Sequence, residues 1–531
     1  MLSKKLVAIA VAAAFGSIAI PAAAGTAQGP SSSATPYYLN VPGKVDILSI
    51  LTVGDSVNEK PNGTEPYRMV GIPDGLGAYD NHDGTFTVLM NHELRETAGA
   101  VRQHGARGAF VSQWIIRKSD LKVLHGGDLI KQTLGYDRST ASFVNAPIAM
   151  GRLCSADLPA TSAFYNRRSG KGYTGRIFMN GEESGAEGRA FAHIATGPGA
   201  GITYELPSLG RFSWENSVAS PFEQDKTVVI GLDDSTPGQV YVYIGDKQST
   251  GSEIEKAGLH GGSLYGVKVN GFAQEDVAAS PTRTAGIPSG TQFSLHNHGD
   301  ARLLTGAALQ TASVAAGVTE FLRPEDGAWD TNDPNVFYFV TTDRFDGTKD
   351  GSSAQVGRSR LYRLAFRDIR DPSQGGTIDQ LIDGTGPNQM FDNITVDGNG
   401  NVILQEDPGN QAHNAKIWQY SPKSRSLTLL ATSDPARFGS RNGMTVTPAT
   451  PPFNRDEESS GVIDVTELLM RSREKGKGHD RDDDDEKSGE RQRWMKGGVR
   501  YYLGVVQAHY PIADPELVEG GQLFLMSVPG K

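Results

Sequence analysis

Several short segments carry side chains that can do chemistry together. Asn91-His92-Glu93 closes an apolar run just after the turn Asp80-Asn-His-Asp-Gly84, and all three side chains can bind a metal ion or a substrate. Glu182-Glu183 is a carboxylate pair inside Asn180-Gly-Glu-Glu-Ser-Gly185. Adjacent carboxylates repel unless a cation lies between them, which favours a hard or high-valent ion. Arg323-Pro-Glu-Asp-Gly327 sets a guanidinium beside Glu325 and Asp326 around a rigid proline. The arginine can hold an oxyanion bidentately while the carboxylates hold metal; an internal salt bridge is the plain alternative. Phe391-Asp392-Asn393 and Gln405-Glu406-Asp407 flank the hairpin turn Asp397-Gly-Asn-Gly400, as further ligands or as turn caps. Cys154 is the only cysteine and lies outside any obvious strand. It is either a small buried residue or a ligand, and the neighbouring Arg152 favours a thiolate. His296-Asn-His298 has the alternation of a weak zinc signal and reads as a loop. There is no G-x-S-x-G elbow, Walker loop or H-E-x-x-H motif, so metal-assisted displacement suits the chain better than an unassisted serine triad.

Strands must position these groups. Thr85–Met90 runs into Asn91-His92-Glu93 and is followed by the strand Ser112–Arg117. Arg176–Met179 runs into Asn180–Glu183, then Ile202–Leu206; Thr227–Ile230 leads to Asp233-Asp234, then Gln239–Ile244. Val336–Val340 leads to Asp343, then Ser359–Leu364. Asn401–Leu404 runs into Gln405–Asp407, then Lys416–Tyr420; Tyr501–Val506 runs into Gln507-Ala508-His509, then Gln522–Met526. Six times a short apolar strand ends in residues able to bind metal, and a second strand follows. The pattern predicts an all-β fold, a six-bladed β-propeller with long loop insertions. Equivalent strand ends would then meet at one channel mouth. Acidic residues also follow strands simply as turn formers, and for any single unit that is the simpler reading.

Composition agrees with many short strands and tight turns: 64 of the 531 residues are glycine and 8% are aromatic. Residues 1–24 read as a cleaved export signal, with Lys4-Lys5, the apolar run Leu6–Ile20 and Ala22-Ala23-Ala24. The chain is therefore expected to be exported, periplasmic or secreted, without stable membrane association. Without the two lysines there remain 49 basic against 61 acidic residues, a net −12, which repels nucleic acid and suits multivalent cations. Residues 25–36 read as a flexible leader and 37–531 as a single domain. A charged insertion at 471–493, eight residues of each sign, reads as a solvated loop rather than as a calcium trap at Asp482–Asp485.

Taken together, these motifs resemble the PhoX-type bacterial alkaline phosphatase family. The resemblance rests on Pro73-Asp-Gly-Leu-Gly77, Asn91-His-Glu93, Cys154, Gly181-Glu-Glu183 and Arg323-Pro-Glu-Asp-Gly327. Asp392-Asn393, Gln405-Glu-Asp407 and Glu458-Ser-Ser-Gly461 add to it. It implies a six-bladed propeller carrying an iron–calcium cluster (Fe3+ and Ca2+) at the channel mouth, and hydrolysis of phosphomonoesters at alkaline pH. Separately, the chain is expected to be a monomer. Carried over residue by residue, Cys154 would be the thiolate on iron. Glu183, Glu325, Glu93, Asp392 and Asp407 would be carboxylate ligands, while Asn91 and Arg323 would contact the phosphoryl oxygens of a small phosphorylated substrate. A phosphodiester, phytate or lactone hydrolase on the same frame, or a non-catalytic calcium-tied propeller, are the alternatives. Where the family's export signal carries twin arginines this chain has Lys4-Lys5, so metals would load after export.

Overall fold

The computed structural model describes residues 25–61, 63–275, 286–343, 359–409, 413–440, 446–470 and 498–530. The expected signal at 1–24 and the charged insertion at 471–493 lie outside the described residues. The expected strands form, and most extend into the polar residues that were read as their ends. They run Thr85–His92, Ile177–Glu182, Lys226–Asp233, Val336–Thr341, Val402–Glu406 and Arg500–Pro511.

Against each of these strands lies one that composition did not announce. We label them β1 (Pro73–Asp80), β2 (Leu153–Asp157), β3 (Trp214–Ala219), β4 (Pro324–Trp329), β5 (Phe391–Val396) and β6 (Glu457–Asp464). Each pairs antiparallel with one of the six strands just named, β1 with Thr85–His92, β2 with Ile177–Glu182 and so on in chain order. The six also neighbour one another in a closed cycle: β1 beside β2, β2 beside β3, and so on until β6 returns to β1. The result is a propeller-like ring of radiating antiparallel sheets. One nine-stranded sheet joins two of the meanders through Thr291–Gly299, which pairs with Ser263–Val269 on one edge and Gly376–Ile382 on the other. His296 and His298 therefore sit in a strand and not in a loop, with ring centroids 4.9 Å apart. Neither belongs to a group of three candidate ligands among the described residues.

The ring is closed by chain from the N-terminal side. Asp46–Thr52 pairs with Glu519–Val528, and Tyr38–Asn40 pairs with Ser426–Ser433. Residues 25–36 are not a free leader: Thr26–Gln28 extends the last sheet parallel to Asp46–Thr52, and the buried Ser32 hydroxyl lies 2.9 Å from that of Thr52. Backbone pairing at an open sheet edge supplies the ordering that composition alone does not.

Apolar cores fill the wedges between adjacent sheets. Phe212, Trp214 and Tyr241 stack with centroids 3.9 and 4.7 Å apart, and Trp114 packs with Tyr67, Ile50 and Leu525. Each such side chain contributes about 1.5–3 kcal/mol on burial. At the axis the inner strands approach so closely that Gly75 of β1 has no room for a side chain; a Cβ there would lie 2.4 Å from the Ala156 nitrogen of β2. Gly75→Val is expected to lower stability by about 3 kcal/mol or more through this clash, read as a fall in denaturation midpoint. An unchanged midpoint would show that the two strands can part without cost.

Candidate metal and active site

The second residue of every inner strand is a potential ligand: Asp74, Cys154, Glu215, Glu325, Asp392 and Glu458. Five of these strands shift register beside that residue, between Pro73 and Leu76, Leu153 and Ala156, Trp214 and Asn216, Pro324 and Gly327, and Phe391 and Ile394. β6 shifts between Ser460 and Val462. A bulge re-aims a side chain that regular alternation would place elsewhere.

A second tier comes from the longer strands. The first residue of each inner strand pairs with His92, Glu182, Asp233, Thr341, Glu406 or Ala508. The residue after each partner is Glu93, Glu183, Asp234, Thr342, Asp407 or His509. Its backbone N–H donates to the carbonyl just before the inner strand in all six cases: to Ile72, Arg152, Ser213, Arg323, Met390 and Asp456, at 2.8–3.0 Å. Four of those six residues, Ile72, Arg152, Arg323 and Met390, hold left-handed backbone at φ 45–59°. That conformation costs about 1–3 kcal/mol for a non-glycine residue and persists only where surrounding structure enforces it. The same strained step thus recurs where ligands are delivered.

The two tiers meet. Candidate ligand atoms lie within 4.8 Å of one another in four overlapping groups: Asp74, Glu93 and Cys154; Cys154, Glu183 and Glu215; Glu215, Glu325 and Asp392; Asp392, Asp407 and Glu458. Six residues expected from sequence as ligands, Glu93, Cys154, Glu183, Glu325, Asp392 and Asp407, fall in this chain of groups. Cys154 lies within β2 and not outside a strand. Arg323 sits beside them, bound through Nε and Nη2 to Asp234 at 2.8 and 2.9 Å and 2.9 Å from Glu325.

Asn91 does not join the group. Its amide donates to the Cys154 carbonyl at 2.6 Å and accepts from Asn180 at 2.9 Å, so this fully buried side chain props β2 from behind. His92 is turned away as well: its Nδ1 lies 3.1 Å from the Gly71 carbonyl and its Nε2 2.8 Å from the Ser112 hydroxyl, and burial pushes its pKa down to about 3. Asp74, Glu215 and Glu458 complete the inner tier although sequence reasoning did not select them. Their shared signal is a proline, apolar or acidic residue, then an acid, then a small or polar residue, opening a short strand.

Charge dominates this cavity. Burial, then repulsion by neighbouring carboxylates, holds Asp74, Glu215 and Asp392 well above the usual carboxylate range. Glu325 is also held well above it by burial, against the pull of Arg323. Burial pushes Glu183 up to about 8 and Asp407 to about 7. Burial and then Glu93, Glu183 and Glu215 push the Cys154 thiol up, against the pull of Arg152. Burial also raises Glu93 and Asp234, but the guanidiniums of Arg152 and Arg323 outweigh it and hold them low. Gln507 donates to Asp74, Glu93 and Glu458 at 3.0–3.3 Å, and the Ser155 hydroxyl donates to Glu215 at 2.5 Å. Asp74 Oδ1 is buried with no hydrogen-bond partner. So many crowded carboxylates with an orphaned oxygen are what a multivalent cation relieves.

Two spaces adjoin the ligands. A cleft of about 780 Å³ is lined by Arg152, Glu183, Asp234, Arg95, Arg189 and Arg211 among others. A cavity of about 790 Å³ follows the inner strands along the axis, past the polar layer of Ser155, Asn216, Asp326 and Asn393.

A family model described as alkaline phosphatase PhoX matches residues 203–450, the span holding β3, β4 and β5 with Glu215, Arg323, Glu325, Asp392 and Asp407. Over that span the chain is similar to the PhoX family. Its fold is similar to that of Pseudomonas fluorescens PhoX, solved in complex with vanadate, a transition state analogue. The TM-score is 0.58 at 11% identity, covering 94% of this chain and 97% of that one. A Synechocystis apocarotenoid oxygenase variant aligns at 10% identity over 90% of this chain and 95% of its own, but its TM-score of 0.30 carries no argument. No curated protein matches the sequence. The match supports a phosphatase, and the acidic groups could hold the metal on which that family depends. No described helix is long and apolar enough to cross a membrane.

Proposed function

We propose that this chain is an exported, metal-dependent phosphatase that hydrolyses small phosphomonoesters at the mouth of a six-bladed propeller, a single domain spanning 37–531 that works as a monomer in the periplasm or outside the cell. The observation that carries the reading is the six-fold delivery of ligands to one axis, with guanidiniums alongside. The closed cycle of six inner strands supports the blade count.

The donor set fits Ca2+ and Fe3+ together. Carboxylate oxygens in excess suit a hard cation, and the single thiol of Cys154, shared by two of the four groups, suits a transition metal. Asp74, Glu93, Cys154, Glu183, Glu215, Glu325, Asp392, Asp407 and Glu458 would hold them. When bound, such cations supply positive charge against the phosphoryl oxygens.

The remaining work belongs to the chain. Asp234 grips Arg323 through two hydrogen bonds and fixes the plane of its guanidinium, so the fork is set before a dianion arrives. The Thr342 hydroxyl, 2.6 Å from Glu325 and 2.7 Å from the Phe391 carbonyl, holds that carboxylate in place. Burial lowers the His509 imidazole, but the carboxylates of Glu458 and Glu519 outweigh it and hold it well above its usual range, beside Asp407.

Metal-loaded protein should release phosphate from p-nitrophenyl phosphate between pH 7 and 11. Arg323→Ala should lose turnover equivalent to about 2–4 kcal/mol, the usual cost of removing one transition-state donor. Loaded protein that releases no phosphate across that range would sink the reading.

A further inference from the structure

The six positions that precede the inner strands are Ile72, Arg152, Ser213, Arg323, Met390 and Asp456, and only two of them are basic. Those two stand either side of β3 in equivalent places. Both hold left-handed backbone, at φ 45° for Arg152 and 59° for Arg323. Both give their carbonyl to the next tier, to the N–H of Glu183 and of Thr342 respectively. Each guanidinium bridges two candidate ligands or their neighbours: Arg323 bridges Asp234 and Glu325, while Arg152 bridges Glu93 through Nε at 2.7 Å and Glu183 through Nη1 at 2.9 Å.

They differ in exposure. The Arg152 side chain is 39% exposed, against 20% for Arg323, while the carboxylates Arg152 grips are 8% and 13% exposed. Arg152 also lines the 780 Å³ cleft and Arg323 does not; Asp234, which holds Arg323, lines the same cleft. Arg152 is therefore the guanidinium that a solute in the cleft meets at the edge of the ligand cluster.

We propose that Arg152 is a second phosphoryl-binding arginine, holding one side of the substrate dianion from β2 while Arg323 holds the other from β4. The inference rests on the phosphatase reading above. A planar fork already set by two carboxylates keeps outward N–H groups oriented at little entropic cost, which suits a tetrahedral oxyanion. Two fixed guanidiniums also position the phosphoryl group and do more than attract it.

The test compares wild type, Arg152→Gln and Arg152→Lys at matched cation content, reading the Kd of inorganic phosphate by calorimetry together with kcat and KM on p-nitrophenyl phosphate. Arg152→Gln should weaken phosphate binding at least tenfold and lower kcat/KM by about a hundredfold. Arg152→Lys keeps the charge that balances Glu93 and Glu183 and so serves if the glutamine variant fails to fold; without the fork it should weaken phosphate binding severalfold. A folded lysine variant with wild-type phosphate affinity and kcat/KM overturns the proposal, as does a glutamine variant that loses only cation content or melting temperature. Those outcomes leave the phosphatase reading standing. A wild type that neither binds phosphate nor hydrolyses the ester overturns both.

Discussion

Stripped of multivalent cations, the protein should melt several degrees lower at pH 8 than at pH 5, and calcium should remove most of that difference. The buried carboxyls of Asp74, Glu215, Glu325 and Asp392 are held well above their ordinary range, and Glu183 and Asp407 reach about 8 and about 7. An acid whose folded pKa exceeds its unfolded value binds its proton more tightly in the fold. Its contribution is complete below the unfolded value, near pH 4, and disappears as pH rises through the folded value. For Glu183 and Asp407 the loss therefore falls between about pH 4 and 8, and the other four lose theirs in the same direction as pH rises. Glu93 and Asp234 are held low by arginine and carry the opposite sign, but they are already ionised above pH 5 and stay constant across this window. Each unit of net shift is about 1.4 kcal/mol. Partial discharge of a coupled set of six is then enough for a fall of order 5 °C in a chain of this size. Calcium binds the ionised set, so its stabilisation should grow with pH. Scanning calorimetry of chelated and calcium-loaded protein at pH 5 to 9 decides this. A flat chelated profile, or equal calcium stabilisation at both ends, would refute the crowded-carboxylate account.

The longer strand of each meander was readable because its residues obey local rules. Thr85-Phe-Thr-Val-Leu-Met90 and Val336-Phe-Tyr-Phe-Val340 are β-branched and aromatic, and the acids that close such strands marked the outer tier: Glu93, Glu183, Asp407. The inner strands break those rules. Trp214-Glu-Asn-Ser-Val-Ala219 and Pro324-Glu-Asp-Gly-Ala-Trp329 open on acids, amides or glycine and carry bulges, so no period of two survives in them. They are strands because the ring encloses them. Glu215 was invisible for that reason, whereas Cys154, Glu325 and Asp392 stood out as possible ligands by residue type, each with a plain structural alternative that spacing alone left open. The placement of Asn91 is equally instructive. Asn91 has a ligand's chemistry and stands two positions from Glu93, yet the carbonyl it satisfies belongs to Cys154, sixty-three positions away. Local spacing carries no trace of such a contact. The N-terminal leader failed for a related reason, since Thr26–Gln28 owes its order to the edge offered by Asp46–Thr52.

Replacing Glu215 by glutamine should move stability in opposite directions with and without cations. Glu215 alone links the Cys154–Glu183 group to the Glu325–Asp392 group, because its carboxylate belongs to both. It is buried among Glu183, Asp234 and Asp326, all of which oppose its ionisation. An amide keeps the shape, and its Oε1 can still accept from the Ser155 hydroxyl and N–H, which lie at 2.5 and 3.3 Å in the native chain. In chelated protein at alkaline pH, as the native carboxyl is driven to carry charge without a counter-ion, Glu215→Gln should therefore melt a few degrees higher. In loaded protein a shared anionic donor is gone, so calcium-induced stabilisation should shrink and turnover should fall by about a hundredfold or more, the range seen when one essential electrostatic contact is removed. A merely structural carboxylate would behave otherwise: its removal would shift both forms the same way and leave turnover near native. The signs of the two melting shifts thus separate a ligand from a strut, and equal shifts with full activity would remove Glu215 from the site and divide the chain of ligand groups in two.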